Sequence, residues 1–299
     1  MKKFRIHIIA FISMFFWGMS YIWSKIVFEV YSPLTTIFFR LLISSVVLYI
    51  FAFATGQLEP IHKKDRWLLL GSAFLNPFLY FIGENFGLSL VSASLSAIIV
   101  STIPLFAPFA AYYFFKERLR PINVAGLMIA FGGLLFIIVN KNFSLNANPL
   151  GIMLLFLAVF SAVFYVIFLK KLSLKYRPIT IITWQNMIGS LFFLPFFLFF
   201  DGDRFLSIRP GMMTIVLLLL LGIFASSLSY VLFTYVVKHL GVIKSSLYTN
   251  LIPVFTIIFS FYILGEHSSL RKMMGMLVVI VGVTLSEIGK IESSKKFKF

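Results

Sequence analysis

Two charged side chains lie deep inside long apolar runs. Arg40 falls about seven residues into the run 33–55, and Glu84 about six residues from the far end of the run 67–90. If both runs are helices entered from opposite sides, a rise of about 1.5 Å per residue puts both groups roughly 9–10 Å below the same surface. A guanidinium and a carboxylate at one depth have three uses. They can pair or share a hydrogen-bonded network; Arg40 can anchor a carboxylate or zwitterionic ligand; or Glu84 can take up and release a proton. A structural pair is the plainest of these. Other chemistry finds little support. The four histidines, at 7, 62, 239 and 267, fall at the ends of apolar runs or between them, no acidic cluster lies within a run, and cysteine is absent. No catalytic residue, metal ligand or cofactor is therefore expected, and no Walker-type sequence is available for ATP.

The elements that hold Arg40 and Glu84 follow from composition. Hydrophobic residues make up 60% of the 299-residue chain, 38 residues are Phe, and only 12% are charged, which excludes an ordinary soluble domain. About 20 apolar residues of helix span a bilayer core. Ten such stretches are expected, near 6–28, 33–55, 67–90, 92–115, 121–140, 149–169, 178–200, 211–237, 242–264 and 270–289. They are continuously apolar at helical length, whereas barrel strands alternate over about ten residues. The first run follows Met-Lys-Lys-Phe-Arg and imitates a signal peptide, but it is too long and carries Trp17, Tyr21 and Trp23, so it reads as a span.

Lys and Arg set the orientation, because cytoplasmic loops carry the excess. With the N-terminus inside, the basic clusters at 2–5, 63–66, 116–120, 170–177, 238–244 and 290–298 are all cytoplasmic. Lys25, Lys141, Arg204, Arg209, Arg271 and Lys272 alone fall outside. Both termini are expected in the cytoplasm. The net charge of +16 then reads as a topology signal that also favours anionic lipid headgroups, rather than as a nucleic-acid-binding face.

The chain also repeats itself. A shift of 149 positions brings Pro104 onto Pro253, Glu117 onto Glu266, Gly126 onto Gly275 and Gly133 onto Gly282; nearer the start of each half, 144–145 positions bring Tyr21 onto Tyr165, Pro33 onto Pro178 and Arg40 onto Gln185. Two units are expected, residues 1–142 and 147–299, each with five spans. Five is odd, so the second unit enters the membrane inverted. Polar residues at helical spacing map the walls of a central cavity. Its expected lining is Trp17, Tyr21, Arg40, Asn76, Tyr80, Glu84, Tyr165, Gln185, Tyr230 and Asn250, with Ser44, Asn186 and Ser226 nearby and further tyrosines at 112 and 248. For any single hydroxyl, helix-to-helix bonding is the plainer reading. Pro104 and Pro253 remove backbone donors at matched positions and are candidate hinges. The small-residue stripes Gly126, Ala130, Gly133 and Gly275, Gly282, Ser286 suit close helix packing, so spans five and ten are expected to buttress the other eight.

Trp17-Gly-Met-Ser-Tyr21, Pro33 with Phe38-Phe-Arg-Leu41, Ala93-x-x-x-Ala97 through Pro104, and the doubled Glu117/Gly126/Gly133 and Glu266/Gly275/Gly282 spacing resemble the drug/metabolite transporter superfamily, in its ten-helix EamA-type branch. The resemblance covers both halves. It implies an all-α integral membrane protein of ten helices in two inverted repeats. It implies a secondary carrier of a cell (inner or plasma) membrane that exports amino acids or related metabolites by alternating access. Departures occur at Lys116, which stands where the second half has Gly265, and in the run 149–169, which lacks the Trp-Gly pair. A lipid or polyprenyl-phosphate flippase and an intramembrane lipid-modifying enzyme are the alternatives. Protons as coupling ion, the solute's identity and the oligomeric state stay open.

Overall fold

A computed structural model describes residues 2–106, 121–138, 147–266 and 269–288. Every regular element among them is helical: α1 (Lys2–Phe28), α2 (Pro33–Ala54), α3 (Arg66–Ala73), α4 (Gly87–Leu90), α5 (Ala93–Val100), α6 (Pro121–Ile138), α7 (Pro149–Ser173), α8 (Pro178–Phe196), α9 (Gly202–Ser207), α10 (Met212–Leu220), α11 (Ser229–Ser246), α12 (Leu251–Leu264) and α13 (Leu270–Ile288). Five stretches are long and apolar enough to cross a membrane: Arg5–Phe28, Pro33–Ala54, Pro149–Ser173, Pro178–Ser207 and Met212–Gly241. Ala93–Phe106, Val124–Ile138 and Tyr248–Leu264 are shorter and equally apolar.

Local chemistry sets the helix starts. Pro33, Pro149 and Pro178 occupy first-turn positions, where a missing N–H costs nothing. Ser32 Oγ accepts from Thr35 N at 3.0 Å, Asn148 Oδ1 from Leu150 N at 3.0 Å, and Ser92 Oγ from Leu95 N at 3.2 Å.

Several runs expected to be continuous helices are broken. Between α3 and α4 the chain passes through two π-helical stretches, Phe74–Leu79 and Ile82–Phe86, with Asn76 at φ −144° and ψ 116°. Pro77 carries no N–H to continue the ladder there. The second half has a counterpart, the π-helical stretch Leu221–Leu228 between α10 and α11. A third, Phe197–Asp201, follows α8. The run 92–115 is interrupted at Ser101 and Thr102, whose hydroxyls donate to Ile98 O at 2.7 Å and Ile99 O at 2.6 Å, just before Pro104. Its mate is the 3-10 turn Leu247–Asn250 ahead of Pro253. Each proline thus sits in the first turn of a new helical segment instead of kinking a continuous one. Gly241, at φ +79°, breaks α11 near its C-terminal end. Residues 107–120 and 139–146, with Tyr112, Lys116, Glu117 and Lys141, lie outside the described residues.

Packing joins one half to the other. α1 lies against α12 and α11, α2 against α8, and α7 against α5 and the broken segment 66–90. α6 and α13 pack on each other through the expected small residues. A β-carbon on Gly282 would stand 2.4 Å from Ala130 N, and one on Gly275 would stand 2.3 Å from Ile137 Cγ1.

Acidic side chains clasp the halves at the helix ends. Asp201 Oδ2 accepts from the Ser32 hydroxyl, from Thr35 Oγ1 at 2.8 Å and from Thr35 N at 3.2 Å, capping α2 from the other half. Glu266 caps α5 likewise, accepting from Ala93 N at 2.8 Å, Ser94 Oγ at 2.7 Å and Ser94 N at 3.2 Å. Glu59 Oε2 accepts from Arg177 N at 2.7 Å, at the start of α8. Asp65 takes Lys175 Nζ at 2.6 Å and Tyr176 Oη at 2.9 Å. A carboxylate at a helix N-terminus satisfies orphan N–H groups and complements the helix dipole.

Gly282→Val is expected to destabilise the protein by about 1–3 kcal/mol, because the clash is with backbone. Gly132→Ala, with nothing within 4 Å of the added carbon, should be neutral or stabilising by up to ~1 kcal/mol; thermal unfolding in detergent separates the two. The hydrogen bond from Lys175 holds the Asp65 carboxyl below its ordinary value of 3.8. Its clasp therefore stabilises the protein at neutral pH and is lost as pH falls below that range. Asp65→Asn should remove this part of the acid sensitivity, read as a flatter dependence of melting temperature on pH between about 5 and 3.

Candidate functional site

The π-helical stretches open the backbone where the polar side chains gather. Around Leu221–Leu228, carbonyls turn outward to other helices: Ala225 O accepts Trp17 Nε1 at 3.2 Å, and Ser226 O accepts Asn186 Nδ2 at 2.9 Å. In the first half, Leu75 O accepts the Ser161 hydroxyl. Gly83 permits the close approach of the segment bearing Glu84 to α7, since a β-carbon there would lie 2.4 Å from Leu154 O.

Seven of the ten expected lining residues gather in one cluster. Glu84 accepts from Tyr80 Oη at 2.8 Å and, more weakly, from Asn85 Nδ2 at 3.4 Å. Tyr21 is 2% exposed and lies beside Glu84 and Tyr80, yet its hydroxyl has no hydrogen-bond partner of ordinary geometry among the described residues. Asn76 Nδ2 reaches Tyr230 Oη at 3.5 Å, and Trp17 meets the Tyr230 ring edge-on at 4.9 Å. Arg40, 2% exposed, donates from Nε to Ser226 Oγ at 2.8 Å, and its guanidinium carbon stands 4.4 Å from the centre of the Phe81 ring. No direct ion pair joins Arg40 to Glu84. Of the two expected arrangements, a pair or a shared network, the direct pair is not formed: both groups lie in one aromatic cluster, each charge held by its own neutral partners. Ser226 and Phe81 turn the guanidinium aside, and the π-helical register places Glu84 among tyrosines.

The Arg40 end continues into a polar seam. Asn186 Nδ2 donates to Ser44 Oγ at 2.6 Å as well as to Ser226 O, and Ser44 Oγ lies 2.7 Å from Ser227 Oγ. Tyr165 and Gln185 form a separate pair, Tyr165 Oη donating to Gln185 Oε1 at 3.1 Å, while Gln185 Nε2 donates to Ser72 Oγ at 2.9 Å. Tyr230 bridges the regions, packing both on the apolar cluster that holds Tyr80 and Phe81 and on that holding Tyr165. Asn250 lies apart, in the turn before α12, its buried Oδ1 without a partner among the described residues. Pro104 and Pro253 flank the matched breaks described above. Tyr248 meets the His7 ring nitrogen near the start of α1.

Some residues of the site escaped sequence reasoning. Asn85 follows Glu84 directly and would point elsewhere on an α-helix; only the wider π turn brings both to one cluster. Phe81 reads as one more Phe among 38. Glu266 was visible as a repeated Glu, but its partners on α5 are remote in sequence.

The sequence matches the EamA-like transporter family over residues 4–139 and again over 149–287. The chain belongs to the EamA-like transporter family. As such it is a multi-pass membrane protein and a membrane transporter. Among its relatives, an uncharacterized transporter of Archaeoglobus fulgidus is 26% identical, with 94% of this chain and 97% of that protein covered. The uncharacterized transporter YetK of Bacillus subtilis is 28% identical, with 84% and 77% covered. A WAT1-related chloroplastic protein of Arabidopsis thaliana is 27% identical, with 91% and 66% covered. A crystal structure superposes at a TM-score of 0.70 with 14% identity, covering 95% of this chain and 98% of that one, a likeness of fold.

Within this EamA-like transporter, Ser226→Ala should cost about 1.5–3 kcal/mol, because it removes the hydroxyl that accepts from a buried charge. Ser207→Ala, whose hydroxyl bonds only within an exposed helix end, should leave the melting temperature unchanged.

Proposed function

We propose that this transporter exports amino acids or related small organic solutes across the cell membrane by alternating access between two inverted five-helix units, residues 1–142 and 147–299. The observation that carries the reading is the buried Arg40–Tyr–Glu84 cluster, in which opposite charges stand close without pairing. A zwitterion would complete it, its carboxylate on Arg40 and its ammonium on Glu84, with Trp17, Tyr80 and Tyr230 around the side chain. Contacts related across the halves support the inversion. Trp17 reaches Ala225 O, and Ser161, its mate at an offset of 144, reaches Leu75 O, the mate of Ala225 at 150. The Ser44–Ser227 contact is likewise matched by Gly189 against Pro77. Two such units exchange shapes to open alternately to either side. Both termini are assigned to the cytoplasm from the Lys/Arg distribution.

Counterflow in proteoliposomes tests this. Vesicles preloaded with a mixture of the twenty proteinogenic amino acids should take up labelled members of the mixture, and Arg40→Gln should reduce uptake by about tenfold to a hundredfold. Labelling fixes the orientation, since the chain has no native cysteine. Cysteines at Lys64 and Arg204 should react from opposite faces. Uptake equal to that of empty vesicles for every amino acid would overturn the substrate class, and same-face labelling would overturn the topology.

A further inference from the structure

Glu84 differs from the four acids that clasp the halves. Glu59 and Asp65 meet cations, and Asp201 and Glu266 meet backbone donors at helix starts. Glu84 is 7% exposed, lies in the broken apolar segment 66–90 and accepts hydrogen bonds of ordinary geometry from neutral donors, Tyr80 Oη at 2.8 Å and Asn85 Nδ2 at 3.4 Å. The nearest cation, Arg40, is held off by Ser226 and the Phe81 face. A direct ion pair would lock a buried carboxylate in its charged form. This arrangement leaves the charge state free to change.

Tyr21 supplies the other requirement. Its buried hydroxyl lies beside Glu84 and Tyr80, within their electrostatic reach but without a hydrogen bond of ordinary geometry among the described residues. A hydroxyl both donates and accepts. It can donate to a Glu84 carboxylate, or accept from the O–H of a protonated Glu84, so both protonation states find a partner without rearrangement of the helices. The other groups that face Glu84 are consistent with this. Tyr80 and Asn85 come from its own segment, Arg40 from α2 and Tyr230 from α11. On α7, Leu154 and Ala158 pack against the adjoining Gly83. When Glu84 is protonated, Arg40 keeps its Ser226 hydroxyl and the negative face of Phe81, which offset its charge.

We propose that Glu84 is a proton-binding site, and that a proton and the ammonium of the exported solute occupy its carboxylate in turn, one proton entering for each solute that leaves. The exchange half of this rests on the transport reading above; the proton site does not. The proton comes from water on the outer side, adds to a carboxylate oxygen, and returns to water on the inner side when the solute ammonium replaces it.

Two measurements test the proposal. In pH-difference infrared spectra of the purified protein in lipid nanodiscs, the wild type should show the carbonyl band of a buried carboxyl gaining and losing its proton. Glu84→Gln should lack that band. Tyr21→Phe, which keeps the carboxyl but removes its two-way partner, should retain the band at a displaced frequency and midpoint. It carries the test if Glu84→Gln does not fold. A band unchanged in whichever of these variants folds overturns the proton site, whatever the protein transports. In wild-type proteoliposomes with the same amino-acid mixture, and with the membrane potential clamped near zero by equal potassium and valinomycin because each exchange moves one net charge, a gradient of one pH unit should drive about tenfold accumulation at one proton per solute. Counterflow that proceeds while ignoring the gradient overturns the exchange and leaves the transport reading intact. Absence of any amino-acid movement overturns the transport reading and the exchange with it, and the infrared spectra then decide the proton site alone.

Discussion

The structure depends on one constraint: a polar group within hydrocarbon must find its partner inside the protein. A charge at the middle of a spanning helix costs about 2.5–3.5 kcal/mol on insertion scales. The chain meets this constraint by keeping acids few and giving them tasks. Of its 10 acidic residues, Glu59, Asp65, Asp201 and Glu266 tie a helix start or loop of one half to the other half. Glu59, Asp201 and Glu266 act where helix starts leave N–H groups without intrahelical acceptors, while Asp65 holds the Lys175 ammonium and the Tyr176 hydroxyl. The same group that satisfies a helix terminus therefore also binds the two halves together, and neither helix start would be complete without the opposite half.

In the interior the constraint takes another form. Apolar helices in lipid gain little from burying one another's side chains, so their association rests on close backbone approach and on hydrogen bonds. α6 and α13 use close approach, glycine facing backbone at Gly133, Gly275 and Gly282. The segments around Asn76, Glu84 and Ser226 use hydrogen bonds, and in and beside the π-helical turns backbone carbonyls also accept side chains from other helices. Trp17, Ser161 and Asn186 are the donors, to Ala225 O, Leu75 O and Ser226 O. The cost of interrupting a helix is thus offset by contacts between helices, and the interruptions fall where the polar cluster lies.

Much of this was legible in the sequence because the signals are strong and local. Helix class followed from apolar run length and helix starts from Pro33, Pro149 and Pro178; the matched glycines marked close helix packing, but not that α6 and α13 would pack on each other. Seven of the residues picked by polarity and helical spacing do cluster, since hydrocarbon leaves a polar side chain few other places to go. What was not legible depended on departures from helical geometry. A spacing argument assumes 3.6 residues per turn, and the segment 74–86 breaks that phase, so Asn85 was missed and depth alone could not decide between a direct Arg40–Glu84 pair and a looser shared cluster. Glu266 shows a second limit. Its spacing to Gly275 marked it as a motif, but the partners it caps lie 172 and 173 positions away and have no signature of their own.

The repeat is imperfect where the chemistry is sharpest. Arg40 and Glu84 have Gln185 and Phe233 as their counterparts. The second half answers with a neutral pair, Tyr165 to Gln185, and with Ser226, which serves Arg40 instead of a mirrored charge. A doubled set of charges would place four ionised groups in one low-dielectric space, and each added pair would bring several kcal/mol of desolvation. Divergence to neutral residues removes that cost while the carbonyl contacts related across the halves persist. Backbone geometry thus holds the two halves in register, and side-chain identity confines the charged chemistry to one of them.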